Sequence, residues 1–138
     1  MKKYLLLLMA SALALYGCNA QRASASLIGT WILTAYGSSA SSTPAVPDAG
    51  AEITFNEDGT VVGNSGCNGF GGKYTVEGDQ ITFSEIVSTL MACDAARMAQ
   101  EAAVHRVLSD TATFKIEGST LTLTNNDTVL ILTRVSYP

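Results

Sequence analysis

The stretch Gly63-Asn64-Ser65-Gly66-Cys67-Asn68-Gly69-Phe70-Gly71-Gly72-Lys73-Tyr74 decides the fold of this chain. Glycine recurs at 63, 66, 69, 71 and 72, between strand-like runs. A backbone so poor in side chains there must bend sharply or be approached closely by another segment. Cys67 has a distal candidate partner in Cys93. A bridge between them would close a loop of about 27 residues and contribute roughly 3–4 kcal/mol in the chain-entropy model. Two buried free thiols are the alternative, and the compartment decides between them.

The N-terminus addresses that question. Residues 1–17 combine a basic start (Lys2, Lys3), an apolar run from Leu5 to Ala10 resumed at Ala12–Leu15, and the small Gly17 before Cys18. This is the grammar of a bacterial secretory signal, and the run is short for a permanent membrane span. Export favours the oxidised Cys67–Cys93 pair. Leu15-Tyr16-Gly17-Cys18 resembles the lipobox of bacterial lipoproteins, although Tyr16 departs from the small or β-branched residue usual there. The resemblance implies acylation of Cys18, and Asn19 in place of Asp implies the outer membrane, with the domain on its periplasmic face. Acyl chains contribute about 0.8 kcal/mol per buried methylene, so two or three anchor stably. An ordinary secreted protein in which Cys18 is incidental is the alternative.

Removing residues 1–17 takes away two lysines and moves the formal charge from −4 to −6. An acidic chain without a basic cluster is a poor partner for nucleic acid or for anionic lipid headgroups, so the membrane link is expected through the lipid alone. Residues 18–26 lack periodicity and read as a tether, and 27–138 as a single domain.

Outward from the glycine stretch, the pattern is that of strands in sequence order. Leu27–Tyr36 is dense in β-branched and aromatic residues, including the only tryptophan, Trp31. Residues 37–50, rich in Ser, Ala and Pro, read as a long loop. Glu52–Asn56 alternates polar and apolar, turns at Asp58-Gly59 and resumes at Val61; Tyr74–Glu77, Gly78-Asp79 and Gln80–Phe83 repeat that hairpin grammar. From Asp94 to Leu108 the chain is rich in helix formers and free of Gly and Pro, so one helix is expected there. Its apolar face is blurred by alanines: Met91, Met98, Val104 and Leu108 make one face, and Ala99, Ala103 and Val107 another. Residues 113–135 close the chain as a meander, for about eight strands and one helix in all.

Gly66-Cys67-Asn68, Gly72, Tyr74, Thr89-Leu90-Met91-Ala92-Cys93, Glu101 with Leu108, Phe114-Lys115-Ile116 and Leu121-Thr122-Leu123 together resemble the META domain. That family includes the heat-inducible HslJ lipoproteins of bacteria. The resemblance runs from about Leu27 to Val135. It implies a mainly β fold: an antiparallel, partly open β-barrel or strongly curved sheet with the helix packed across it. It also implies an association with envelope stress or drug tolerance. No catalytic set comes with it. Gly66, Cys67, Asn68, Thr89, Cys93 and Glu101 are motif positions whose expected roles are structural.

Catalytic grammar is sparse. A hydrolase built on Ser65, His105 and an acid would rely on the only histidine, set in a helix beside Arg106. Gly63-Asn64-Ser65-Gly66-Cys67 fails the nucleophile elbow, and the same glycines fail a P-loop because Tyr74 stands where Ser or Thr is required. One imidazole and two oxidised cysteines cannot close a zinc site, so neither metal nor cofactor is expected. Glu101 interrupts a largely apolar helix; if buried, it needs donors, and the amides of the glycine loop are candidates.

The expected function is therefore that of a non-enzymatic, monomeric envelope lipoprotein that binds an apolar ligand or a protein segment, with Trp31, Phe55, Phe70, Phe83 and Phe114 lining or filling the interior. The alternative is a structural or inhibitory module that docks on another envelope protein through the 37–50 loop.

Overall fold

The computed structural model describes residues 27–136. The expected signal segment (1–17), the expected acylation site Cys18 and the expected tether (18–26) lie outside the described residues.

The elements are β1 (Gly29–Ser38), β2 (Ser41–Pro44), β3 (Glu52–Phe55), β4 (Thr60–Asn64), β5 (Gly69–Glu77), β6 (Gln80–Ser88), α1 (Ala95–Leu108), β7 (Thr111–Glu117), β8 (Thr120–Asn125) and β9 (Thr128–Arg134). From β3 to β9 each strand pairs antiparallel with the next. β1 takes β3 on one edge and β9 on the other, which closes an eight-stranded barrel with β2 outside it. Closure leaves few unpaired backbone groups, which is how small all-β domains manage their edges. The mainly β fold with one packed helix is as the sequence indicates, and the barrel is closed rather than partly open.

The 37–50 stretch is a loop only in part. β3 covers β1 no further than Ile32, so the same edge of β1 is open from Ala35 to Ser38, and Ser41–Pro44 folds back onto it as β2. Its breaker-rich composition hides a strand whose pairing is set by that vacant edge.

Inward-facing residues alternate along the strands, as on β8, where Leu121 and Leu123 are fully buried. One core unites Trp31, Ile53, Phe55, Phe83, Leu130 and Leu132 of the barrel with Val104, Val107 and Leu108 of α1. Trp31 donates its indole N–H to the Leu27 carbonyl at 2.8 Å, so its polar edge is satisfied inside. The helix buries Gln100, Glu101, Ala103, Val104, Val107 and Leu108. That face mixes the two read from sequence, and Met98 and Met91 stay exposed. Two polar side chains hold core positions because α1 meets the glycine stretch there. Asp94 caps the helix, its carboxylate accepting the Arg97 N–H at 3.1 Å. The hydrogen bonds from Arg97 also hold the Asp94 carboxyl below the usual range.

β6 is bent by a bulge. Its register against β5 shifts between Gly71 and Lys73, and Glu85 adopts φ 55°. A Cβ at Gly72 would lie 2.5 Å from the Ile86 side chain and 2.9 Å from the Ser84 carbonyl oxygen, so this position excludes larger residues. β6 pairs with β7 only over Gln80–Thr82, and its far half leads away into the segment 89–93.

Candidate functional site

The glycine stretch forms a tight turn between β4 and β5. Ser65 donates its backbone N–H to the Asn68 carbonyl at 2.9 Å, and the Asn64 side chain accepts the Gly66 N–H at 2.7 Å. Gly66 sits at φ +99°, and a Cβ there would drive into the Gln100 amide. Helix and turn therefore touch where only glycine fits.

This approach builds a buried polar clamp. The Asn68 side-chain oxygen accepts the Met91 N–H at 2.7 Å and the Thr89 hydroxyl at 2.8 Å. The Asn68 amide nitrogen donates to the Met91 carbonyl and to both Glu101 carboxylate oxygens, each at 3.0 Å. Asn68 thus pairs with Met91 as a neighbouring strand would. Glu101 Oε2 also accepts the Ser65 hydroxyl at 2.5 Å and the Asn68 N–H at 3.1 Å. Beside it, Gln100 donates to the Ser65 carbonyl and accepts the Val46 N–H, both at 2.7 Å. Ser65, Asn68, Gln100 and Glu101 are all buried. Such a network is worth its desolvation only when fully satisfied, and among the described residues no buried side-chain polar atom lacks a partner.

Burial raises the Glu101 pKa, but the hydrogen bonds from Ser65 and Asn68, with the charge of His105, outweigh it, so the carboxyl lies below its usual range. Glu101 is ionised at neutral pH and accepts charge-assisted bonds, which are the strong kind.

The Cys67–Cys93 disulfide runs alongside, with Cα atoms 6.0 Å apart. Cys67, Asn68, Thr89, Cys93, Glu101 and Gly66 therefore converge on one place. Sequence reasoning missed Ser65 and Gln100 as members of the clamp. The available signals were the polar pair Gln100-Glu101 on one helix face and the spacing of Ser65 three residues before Asn68. The five aromatic candidates Trp31, Phe55, Phe70, Phe83 and Phe114 are all buried in the core, and Phe70 also contributes to the wall of an outer groove. They fill the interior, with Phe55 edge-on to Tyr74 at 5.1 Å and Arg134 stacked 4.2 Å over Trp31.

Ser65 spends its hydroxyl proton on Glu101, and the His105 ring lies edge-on to Phe70 at 6.3 Å. The two do not form a nucleophile and base pair.

The clamp holds up an apolar surface. Asn68 and the disulfide fix the segment 89–93, yet Leu90 is 93 % exposed, Met91 59 % and the neighbouring Val87 71 %. Val87 and Val62 pair across Gly71, one from each flanking strand, and Val62 is also exposed. Between them lies an open groove of about 630 Å³, lined in part by Glu52, Thr54, Val62, Asn64, Val87 and Thr89. Gly63 and Gly69 belong to its lining and put no side chains into it, and Phe70 forms part of its wall.

A closed eight-stranded barrel with one packed helix, clamped by Asn68, Glu101 and a disulfide, defines a small type of β-domain. The META domain model matches residues 25–137, and the chain belongs to the META domain family. Comparison with curated proteins finds no match. Among solved structures, an NMR structure of a protein from Burkholderia xenovorans is 26 % identical with a TM-score of 0.66, covering 84 % of this chain and 88 % of that one. A crystal structure of a lipocalin-like protein from Bacteroides uniformis is 18 % identical with a TM-score of 0.54, covering 79 % and 98 %. A DUF4847 family protein from Bacteroides vulgatus is 15 % identical with a TM-score of 0.55, covering 81 % and 96 %. These last two likenesses concern the fold alone.

Proposed function

We propose that this META-domain protein is a non-enzymatic lipoprotein of the bacterial envelope, anchored through Cys18, that binds an apolar ligand or protein segment on the outside of its barrel. The single observation behind this reading is the groove flanked by the exposed Val62 and Val87, next in the chain to a segment that exposes Leu90 and Met91 and is held by a disulfide and a fully satisfied polar clamp. Fixing large aliphatic side chains in water is costly unless something covers them. With the interior filled by aromatic side chains, binding falls to the outer face. A role in envelope stress or drug tolerance, and a monomeric state, belong to the same proposal.

The test is site-specific photocrosslinking from position 90 of the lipidated chain in intact cells. A discrete adduct that disappears in Val87→Asp supports the reading, and an unchanged yield in Val87→Asp overturns it. Docking through residues 37–50 is the second reading, favoured by the fully exposed β2 at the end of the strand order. Loss of the adduct on replacing 39–48 by a short glycine turn, with Val87→Asp silent, favours that reading instead.

A further inference from the structure

Asn68-Gly69 is the one Asn-Gly pair in the chain, and it lies at the centre of the clamp. Asparagine followed by glycine is the sequence most prone to cyclise, because glycine puts no side chain in the way of its own backbone nitrogen. We propose that Asn68-Gly69 is a latent succinimide-forming site that the folded clamp keeps closed, and that its reaction makes unfolding of this protein irreversible.

The chemistry needs only water. The Gly69 backbone nitrogen gives up its proton and attacks the Asn68 side-chain carbonyl carbon. A new C–N bond forms, the bond to the side-chain nitrogen breaks, and ammonia leaves with the proton. Water then adds across one of the two imide C–N bonds, leaving aspartate or its β-linked isomer at position 68.

In the folded chain this attack is blocked. The Asn68 side chain would have to swing onto Gly69, but its oxygen is held by Thr89 and Met91, and its nitrogen by Met91 and Glu101, all within 2.7–3.0 Å. Position 68 is 1 % exposed. Cys67, joined to Cys93, pins the preceding residue as well. Reduction, acid or heat that opens the clamp frees all of these restraints together.

The product cannot rebuild what it left. Aspartate has no side-chain N–H for the Met91 carbonyl or for Glu101. It would also set a second carboxylate about 3.0 Å from the one already there, where the amide nitrogen now donates. The β-linked product adds a backbone atom between Cys67 and β5. The clamp thus guards the residue whose conversion would prevent its own reassembly.

The experiment holds the mature chain, with Cys18→Ser, reduced in denaturant at mildly alkaline pH for increasing times, then returns it to oxidising native buffer. Refolded fraction is read by near-ultraviolet circular dichroism and amide-to-acid conversion by peptide mapping. Gly69→Ala is the matched variant, since an added Cβ there meets only the Gly63 carbonyl oxygen, at 3.7 Å, and the residue is not at positive φ. The expected result is loss of refolding in step with conversion at Asn68, full refolding of Gly69→Ala over the same period, and no conversion in folded protein. A second measurement, wild type held unfolded at mildly acidic pH where cyclisation is slow, should refold fully whether or not Gly69→Ala folds. Refolding that survives complete conversion, decays equally at both pH values, or accompanies conversion of the folded protein at the unfolded rate overturns the proposal.

Discussion

Replacing Glu101 by Gln removes the charge from the clamp while keeping its shape. The carboxylate accepts from the Ser65 hydroxyl, the Asn68 backbone N–H and the Asn68 amide. Hydrogen bonds to a charged group contribute about 1.5–3 kcal/mol each, against about 0.5–1.5 for neutral ones. Gln also turns one acceptor into a donor, facing either the Ser65 and Asn68 N–H side or the Asn68 amide. Part of the loss is recovered, because the Ser65 hydroxyl can turn to the Asn68 carbonyl 3.1 Å away and the Asn68 amide keeps Met91. The expected cost is roughly 2–3 kcal/mol at neutral pH, at the scale of one or two charge-assisted bonds made neutral. It is read by urea unfolding of residues 19–138 in the oxidised form. The pH dependence separates charge from shape. The folded pKa of Glu101 lies below its usual value of 4.5, so its contribution is present in full above that value and is lost as pH falls through the folded pKa. The gap between wild type and Glu101→Gln should therefore close on acidification. Equal stability at pH 7, or a gap that is the same at pH 7 and pH 3, would refute the argument.

Three further outcomes follow from the same geometry. Reducing the disulfide, or replacing Cys67 and Cys93 together by Ser, should lower the unfolding free energy by roughly 3–4 kcal/mol, because the closed loop no longer restrains the unfolded chain; calorimetry under oxidising and reducing conditions measures it. Gly66→Ala should cost at least about 1–3 kcal/mol from its left-handed backbone alone, with the Gln100 amide displaced besides; Gly69→Ala, made alongside, should be nearly silent. Asp94→Ala should cost about 1 kcal/mol by removing the cap of α1, read as a lower urea midpoint with an unchanged slope.

The barrel was legible because its hairpins are local. Asp58-Gly59, Gly78-Asp79 and Gly118-Ser119 each sit between alternating runs, and each became a turn between paired strands. Closure of β1 onto β9 was not legible, since it joins residues about a hundred positions apart with no local mark. β2 stayed hidden because an edge left vacant by a neighbour, and not its own composition, makes Ser41–Pro44 a strand. At the site, Cys67, Asn68, Cys93 and Glu101 stand out as residue types that need an explanation. Gln100 and Ser65 do not, because their roles exist only once α1 packs on the turn. The exposed apolar side chains were invisible for a related reason: Val87, Leu90 and Met91 look like core residues, but β6 pairs with β7 only up to Thr82 and the chain beyond the bulge at Glu85 leaves them in water.

The central claim is that a buried clamp holds an apolar segment rigidly in water. Amide hydrogen exchange at Met91 tests it most directly, because that N–H is held by Asn68 although the side chain it belongs to is exposed. The account predicts protection at Met91 comparable to the core strands, and its collapse in Asn68→Ala. Exchange at Met91 in the wild type as fast as at Asp48, in the exposed stretch after β2, would contradict it.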